Sequence, residues 1–230
     1  MMTTVGAVRS GSPTDTTTTT TRALLACGVV AGPLYMAVVV IQALARDDFD
    51  LMRHPASLLS NGDLGWVQIA TFVVSGLLTI ACAVGMWRVL RPGRGGTWGP
   101  LLVGVYGAGL IAAGVFVADP ADGFPPGTPP GPSGTVTWHG AMHFVVAAIA
   151  FLALIAACFV FARRFARLGQ RGWAAYCVTT GVIFFAAFAG IASGSSASAL
   201  NVAFAVAVVL GWTWVSVMAA RLMTEEASGG

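Results

Sequence analysis

At 230 residues, 57% of them hydrophobic and only 9% charged, with a mean hydropathy of +0.81, the chain is too apolar for a soluble domain and reads as an integral membrane protein. Its formal charge of +3 comes from arginine alone on the basic side, since the sequence has no lysine, and it hides a segregation by loop. The apolar runs are continuous and about twice the roughly ten residues of a barrel strand, which excludes a β-barrel. The fold class is therefore all-α: a polytopic six-transmembrane-helix bundle.

Residues 1–21 are polar and threonine-rich, with the run Thr16 to Thr21, and are expected to be a disordered cytoplasmic leader. The membrane domain follows over 22–222, and 223–230 form a short cytoplasmic tail. A bilayer core takes roughly 20 apolar residues per helix. Six segments qualify: Ala23 to Leu44, Trp66 to Trp87, Trp98 to Ala118, His139 to Phe161, Trp173 to Ile191 and Ala199 to Leu222. The first is too long for a signal-peptide core and is read as an uncleaved span, with a kink expected at Pro33.

Connection one, Ala45 to Gly65, contains Arg53-His54-Pro55 ahead of Ala56 to Ser60, which predicts a short interfacial helix starting near Pro55, and then an Asn61-Gly62-Asp63 turn. The third span carries Gly104, Gly107, Ala108, Gly109, Ala112, Ala113 and Gly114, which predicts close helix approach and a central position. Connection three, Asp119 to Thr137, holds six prolines and four glycines and is expected to be irregular, lying across the outer mouth as a cover. Trp66, Trp87, Trp98, Trp138 and Trp173 mark span ends, where amphipathic rings favour the interface. Cys27, Cys82, Cys158 and Cys177 all fall inside spans and read as packing residues. Cys82, Arg88, Arg91 and Gly93 recur 76 residues later as Cys158, Arg164, Arg167 and Gly169. That pattern fits either an internal repeat or two similar arginine-rich turns.

Ten of the 12 arginines fall on one side of these spans, in the leader, in connections two and four, and at the end of the last span. Short arginine-rich loops stay in the cytoplasm, which predicts cytoplasmic termini in the inner (plasma) membrane. These arginines serve topology and anionic lipid, so nucleic acid is excluded as a partner. The other side collects Asp47, Asp48, Asp50, Asp63, Asp119 and Asp122 with all three histidines.

His139 and His143 are spaced i, i+4 and project from one helix face, a spacing that can chelate one metal ion. His54 or Asp119 would add a third ligand, and an open zinc site of that kind makes hydroxide near neutral pH. Asp63 or Asp122 would act as acid or base. Ligand-facing candidates are Arg53, Ser57, Ser60 and Gln68. The competing reading of each is structural: the histidines bond loop carbonyls with Thr137 as N-cap, Asp119-Pro120 stops a helix, and Arg53 pairs with nearby aspartates. Phosphate-binding glycine loops and His-Glu-x-x-His are missing, and no ionisable residue lies at mid-membrane, which argues against ion-coupled transport. One helix face cannot clamp a haem from both sides.

Arg53-His54-Pro55 with Ser57-Leu58-Leu59-Ser60, then Gly65-Trp66-Val67-Gln68, resembles the bacterial domain-of-unknown-function 998 family. Gly114-Val115-Phe116 leading to Asp119-Pro120, Pro125-Pro126-Gly127-Thr128-Pro129 and His139-Gly140-Ala141-Met142-His143 extend that resemblance in order, over about Ala23 to Leu222. The resemblance implies a six-span membrane protein and carries no catalytic assignment. The set of three histidines, an aspartate and a serine is also similar in chemistry to zinc membrane hydrolases of the ceramidase and adiponectin-receptor type, with a different span number and motif order. Two functions fit. One is an uncharacterised membrane protein with an extracytoplasmic Asp/His-lined polar pocket for a lipid, small ligand or protein partner. The other is a metal-dependent hydrolase of a lipid or amide at the outer leaflet. Histidines among aspartates would also suit a response to mild acid.

Overall fold

The computed structural model describes residues 13–93, 95–131, 134–194 and 197–228. It contains six long helices: α1 Pro13–Ala45, α2 Gly65–Leu90, α3 Trp98–Val115, α4 Trp138–Arg167, α5 Arg171–Ala192 and α6 Ser198–Ser228. Each is long and apolar enough to cross a membrane. Residues 1–12 of the expected leader lie outside the described residues. The part from Pro13 to Thr21 is helix, continuous with the first span. Proline suits a first helical turn because its missing N–H would have no partner there, and each following threonine adds a backbone bond to a helix already nucleated. The tail likewise continues as α6 to Ser228, with Arg221 paired to Glu225 at 3.0 Å one turn on.

Consecutive helices pack side by side, and α6 closes back onto α1, so the six form a ring. In this ring α3 packs chiefly between α2 and α4 and is not central, although its small residues do what close approach requires. A Cβ added at Gly76 would lie 2.6 Å from the Gly107 carbonyl oxygen, and one at Gly107 would lie 2.8 Å from that of Gly76. Backbones that close leave no room for side chains, and dispersion between them replaces the hydrophobic drive that lipid does not supply.

The antiparallel order puts all basic connections at one end, here the arginine end, and connections one and three at the other, the histidine end. The arginine end is filled: Met86, Phe161, Phe165, Trp214 and Met218 are all fully buried. Two of its arginines lie over aromatic faces, Arg91 4.6 Å from the Trp87 ring and Arg221 4.6 Å from the Trp173 ring.

Candidate functional site

At the histidine end, connection one and connection three fold over the helix ends and lock together. Pro55 precedes a short 3-10 helix, Ala56–Ser60, as the sequence predicted, and Gly62 takes a left-handed φ of 72° in the following turn. Gly65 starts α2 pressed against the Ser60 carbonyl, a contact that a side chain would block. Phe124, from connection three, is fully buried between the two loops, edge-on to Phe49 at 5.1 Å and 5.7 Å from the His54 ring.

Arg46, just past the end of α1, holds this roof together. Its guanidinium donates to the Leu59 carbonyl at 2.5 Å and to the Asn61 carbonyl, and lies 4.7 Å from the Phe124 ring. Partial burial lowers its pKa from the ordinary value, while the nearby Asp63 carboxylate acts the other way. Asn61 in turn donates to the Ala118 carbonyl at 3.1 Å, and Asn201, in the first turn of α6, donates to the Leu51 carbonyl at 3.0 Å. Arg46 is one of the two arginines outside the basic end, and charge sorting gives it no role. Its position one residue beyond a span, facing a loop rich in carbonyls, was the available signal.

The expected metal and acid–base residues are spread through this framework in separate roles. His54 is buried and has both ring nitrogens engaged: Nδ1 accepts from the Asp50 N–H at 2.9 Å, and Nε2, which must then carry the proton, donates to the Asp122 carbonyl at 3.0 Å. Arg53 donates to that same Asp122 carbonyl at 3.3 Å, so connection three is held through the Asp122 backbone. Asp119 accepts from Thr137 at both oxygens, from the backbone N–H at 2.9 Å and the hydroxyl at 2.5 Å, and Thr137 accepts from the Gly140 N–H at 3.0 Å. The carboxylate thus braces the start of α4, where the helix dipole favours negative charge, and Gly140 leaves space for it.

His143 is buried one turn further into α4, and its Nδ1 donates to the Phe116 carbonyl at the end of α3 at 2.7 Å, with the Ala113 carbonyl beside it. His139 is exposed and packs against Trp138, with ring centroids 4.8 Å apart. Among the described residues no group of three or more His, Cys, Asp or Glu side chains is placed to share a metal ion. Asp63 is exposed on the turn. Ser60 donates to the Ser57 carbonyl at 2.6 Å, and Gln68, in the first turn of α2, is buried and bonded to Gln42 at 2.8 Å between α2 and α1. Gln42 Oε1 and Gln68 Nε2 have no protein partner there.

Beneath the roof is a cavity of about 480 Å³. Its floor is aromatic: Tyr35 stacks on Trp212 at 4.9 Å, Tyr106 meets Trp212 edge-on at 5.5 Å, and Phe72 lies 6.0 Å from Tyr35. Its sides are aliphatic and small, Ala113, Ala147, Ala150 and Ala205 among them, while His54, Ser57, Asp119, His143 and Asn201, with the floor residues Tyr35 and Tyr106, are the polar residues of the lining. The lining is therefore apolar with a few polar groups, where the sequence had suggested a polar Asp/His-lined pocket. Loop aspartates in a linear sequence do not reveal that their oxygens are spent on loop and helix-end N–H groups.

A family model described as a protein of unknown function (DUF998) matches residues 29–221. The chain belongs to that family. The match runs from α1 to the arginine near the end of α6, so the DUF998 domain includes all six helices, the roof and the cavity below it. No curated protein and no solved structure matches the chain.

Proposed function

We propose that this DUF998 protein is a membrane binding protein that takes one apolar, lipid-derived molecule into the cavity beneath the roof. The observation that carries this reading is the cavity itself: about 480 Å³, apolar on its sides and aromatic at its floor, inside the roughly 300–1,000 Å³ range of small-molecule sites. Apolar cavity surface accepts apolar guests. Exposed apolar residues at its edge, Val40, Leu51, Met52 and Phe144, favour an entrant arriving from the membrane. The arginine end faces the cytoplasm and the roof faces outward across the plasma membrane, a placement supported by the ten arginines at one end.

Ala147 lines the cavity from α4, whereas Ile149 on the same helix points away and is exposed. Native mass spectrometry of the protein released from nanodiscs is expected to retain one lipid-mass adduct per chain. Ala147→Phe should lose that adduct and Ile149→Phe should keep it. Equal retention by both variants, or a bare wild-type chain, refutes the reading. For orientation, single cysteines placed in a background without native cysteines at Asp122 and Arg91 are expected to react and to resist, respectively, an impermeant maleimide added to intact cells. The reverse pattern inverts the topology.

A further inference from the structure

We infer that the cavity selects an uncharged amphiphile with a hydroxyl head, a long-chain alcohol, whose O–H donates to Nε2 of His143. This rests on the binding reading above and specifies its ligand class.

The argument begins with what a membrane ligand gains. A hydrocarbon chain leaving lipid for an apolar cavity exchanges one apolar surrounding for another, so the hydrophobic effect contributes little to its transfer. Packing against the aromatic floor and the polar head must therefore provide selectivity. The charges available to that head are few. No arginine lines the cavity, and the chain has no lysine. The two arginines at this end are engaged elsewhere, Arg46 on the Leu59 and Asn61 carbonyls and Arg53 on the Asp122 carbonyl. The one ionised group in the lining is the Asp119 carboxylate, which repels a carboxylate or phosphate head. Burying an anion here would carry a desolvation cost with no cation to offset it.

Asp119 does not favour a cationic head either, since both of its oxygens already accept from Thr137, which directs the carboxylate at the start of α4. His54 has both ring nitrogens engaged, Asn201 commits one of its side-chain N–H groups to Leu51, and the Ser57, Tyr35 and Tyr106 hydroxyls both donate and accept and so do not discriminate between heads. His143 differs. A carbonyl can only accept, so the 2.7 Å bond to Phe116 places the imidazole proton on Nδ1 and leaves Nε2 as an acceptor lone pair on a ring that lines the cavity. Its complement is a neutral O–H donor. An ester or ether of the same chain length has no donor and leaves that lone pair buried and unmet.

Tritiated hexadecanol bound to the full chain in nanodiscs, competed by unlabelled hexadecanol, methyl palmitate, palmitate and hexadecylamine, tests this. The alcohol is expected to compete about tenfold better than the ester, and better still than the acid and the amine, in line with one buried hydrogen bond. In His143→Phe the alcohol should weaken to the level of the ester while the ester stays unchanged. Equal competition by alcohol and ester, or tighter binding of acid or amine, overturns the head-group assignment and leaves the cavity reading standing. Absence of saturable hexadecanol binding overturns both. If His143→Phe weakens alcohol and ester alike, His143 is not the receiving group. The wild-type ranking decides the ligand class even if that variant does not fold.

Discussion

At the arginine end Met86, Phe161, Phe165, Trp214 and Met218 fill the space between the helices, whereas at the histidine end the same six helices stand around a cavity of about 480 Å³. Connection length accounts for part of the difference. Between α2 and α3, and between α4 and α5, only a few residues separate the helices, so their ends are held together. Connections one and three are much longer and fold back over the helix ends as a roof. The polar residues divide accordingly. Arg91 and Arg221 at the filled end lie on rings, while at the hollow end Arg53, His54 and Asn61 fasten connection one to connection three. A hollow apolar interior under a fastened polar roof is a construction for holding something, and a filled one for keeping the bundle closed.

Adding volume at each end breaks or sharpens this contrast, and gives the largest stability effect expected. Gly28, in the arginine half of α1, is buried so closely against Cys82 of α2 and Ala219 of α6 that one added methyl group would overlap the Cys82 sulfur. Its carbonyl also accepts from Ser216 at 3.1 Å, which holds the backbone in place. Gly28→Ala is therefore expected to destabilise by about 1–3 kcal/mol, the usual cost of overpacking. Ala147→Phe inserts a whole ring at the cavity wall and is expected to change stability by less than about 1 kcal/mol, since the space is already there. Thermal unfolding of the two variants in the same detergent gives the order. If Ala147→Phe melts earlier than Gly28→Ala, the histidine end is not hollow.

Much of this was legible in the sequence, and the residues show where legibility stopped. The six spans follow from hydropathy because each helix must satisfy its own backbone in lipid, and Trp98 and Trp138 mark true helix starts. Pro55 and Asn61-Gly62 located the short helix and the turn through backbone preferences that act locally. The small residues of α3 announced close approach but not position in the ring, because Gly107 meeting Gly76 looks the same from either helix. His54, His143 and Asp119 stand at one end, yet His54 and His143 bond the backbone carbonyls of Asp122 and Phe116 in distant segments, which have no sequence signature. The cavity was illegible for a related reason: it is made by side chains that do not meet, and Ala147 in a hollow reads the same as alanine in a packed core.

A smaller effect than that of Gly28→Ala is expected at Asp119, where the two readings of the histidine end differ most sharply. As the brace of α4, its carboxylate holds the Thr137 N–H and hydroxyl and places negative charge at a helix N-terminus. Asp119→Asn keeps the shape and one accepting oxygen while removing the charge and the second strong acceptor. A cost of about 1 kcal/mol is expected, the scale of a cap and a dipole contact. Hexadecanol binding should be nearly unchanged, because the Asp119 oxygens face Thr137. Removing a negative charge from the lining should, however, narrow the disadvantage of palmitate against hexadecanol. A variant that loses the bound ligand altogether while melting at the wild-type temperature would move Asp119 from the framework of the roof into the binding site, and with it the division of labour between the two ends.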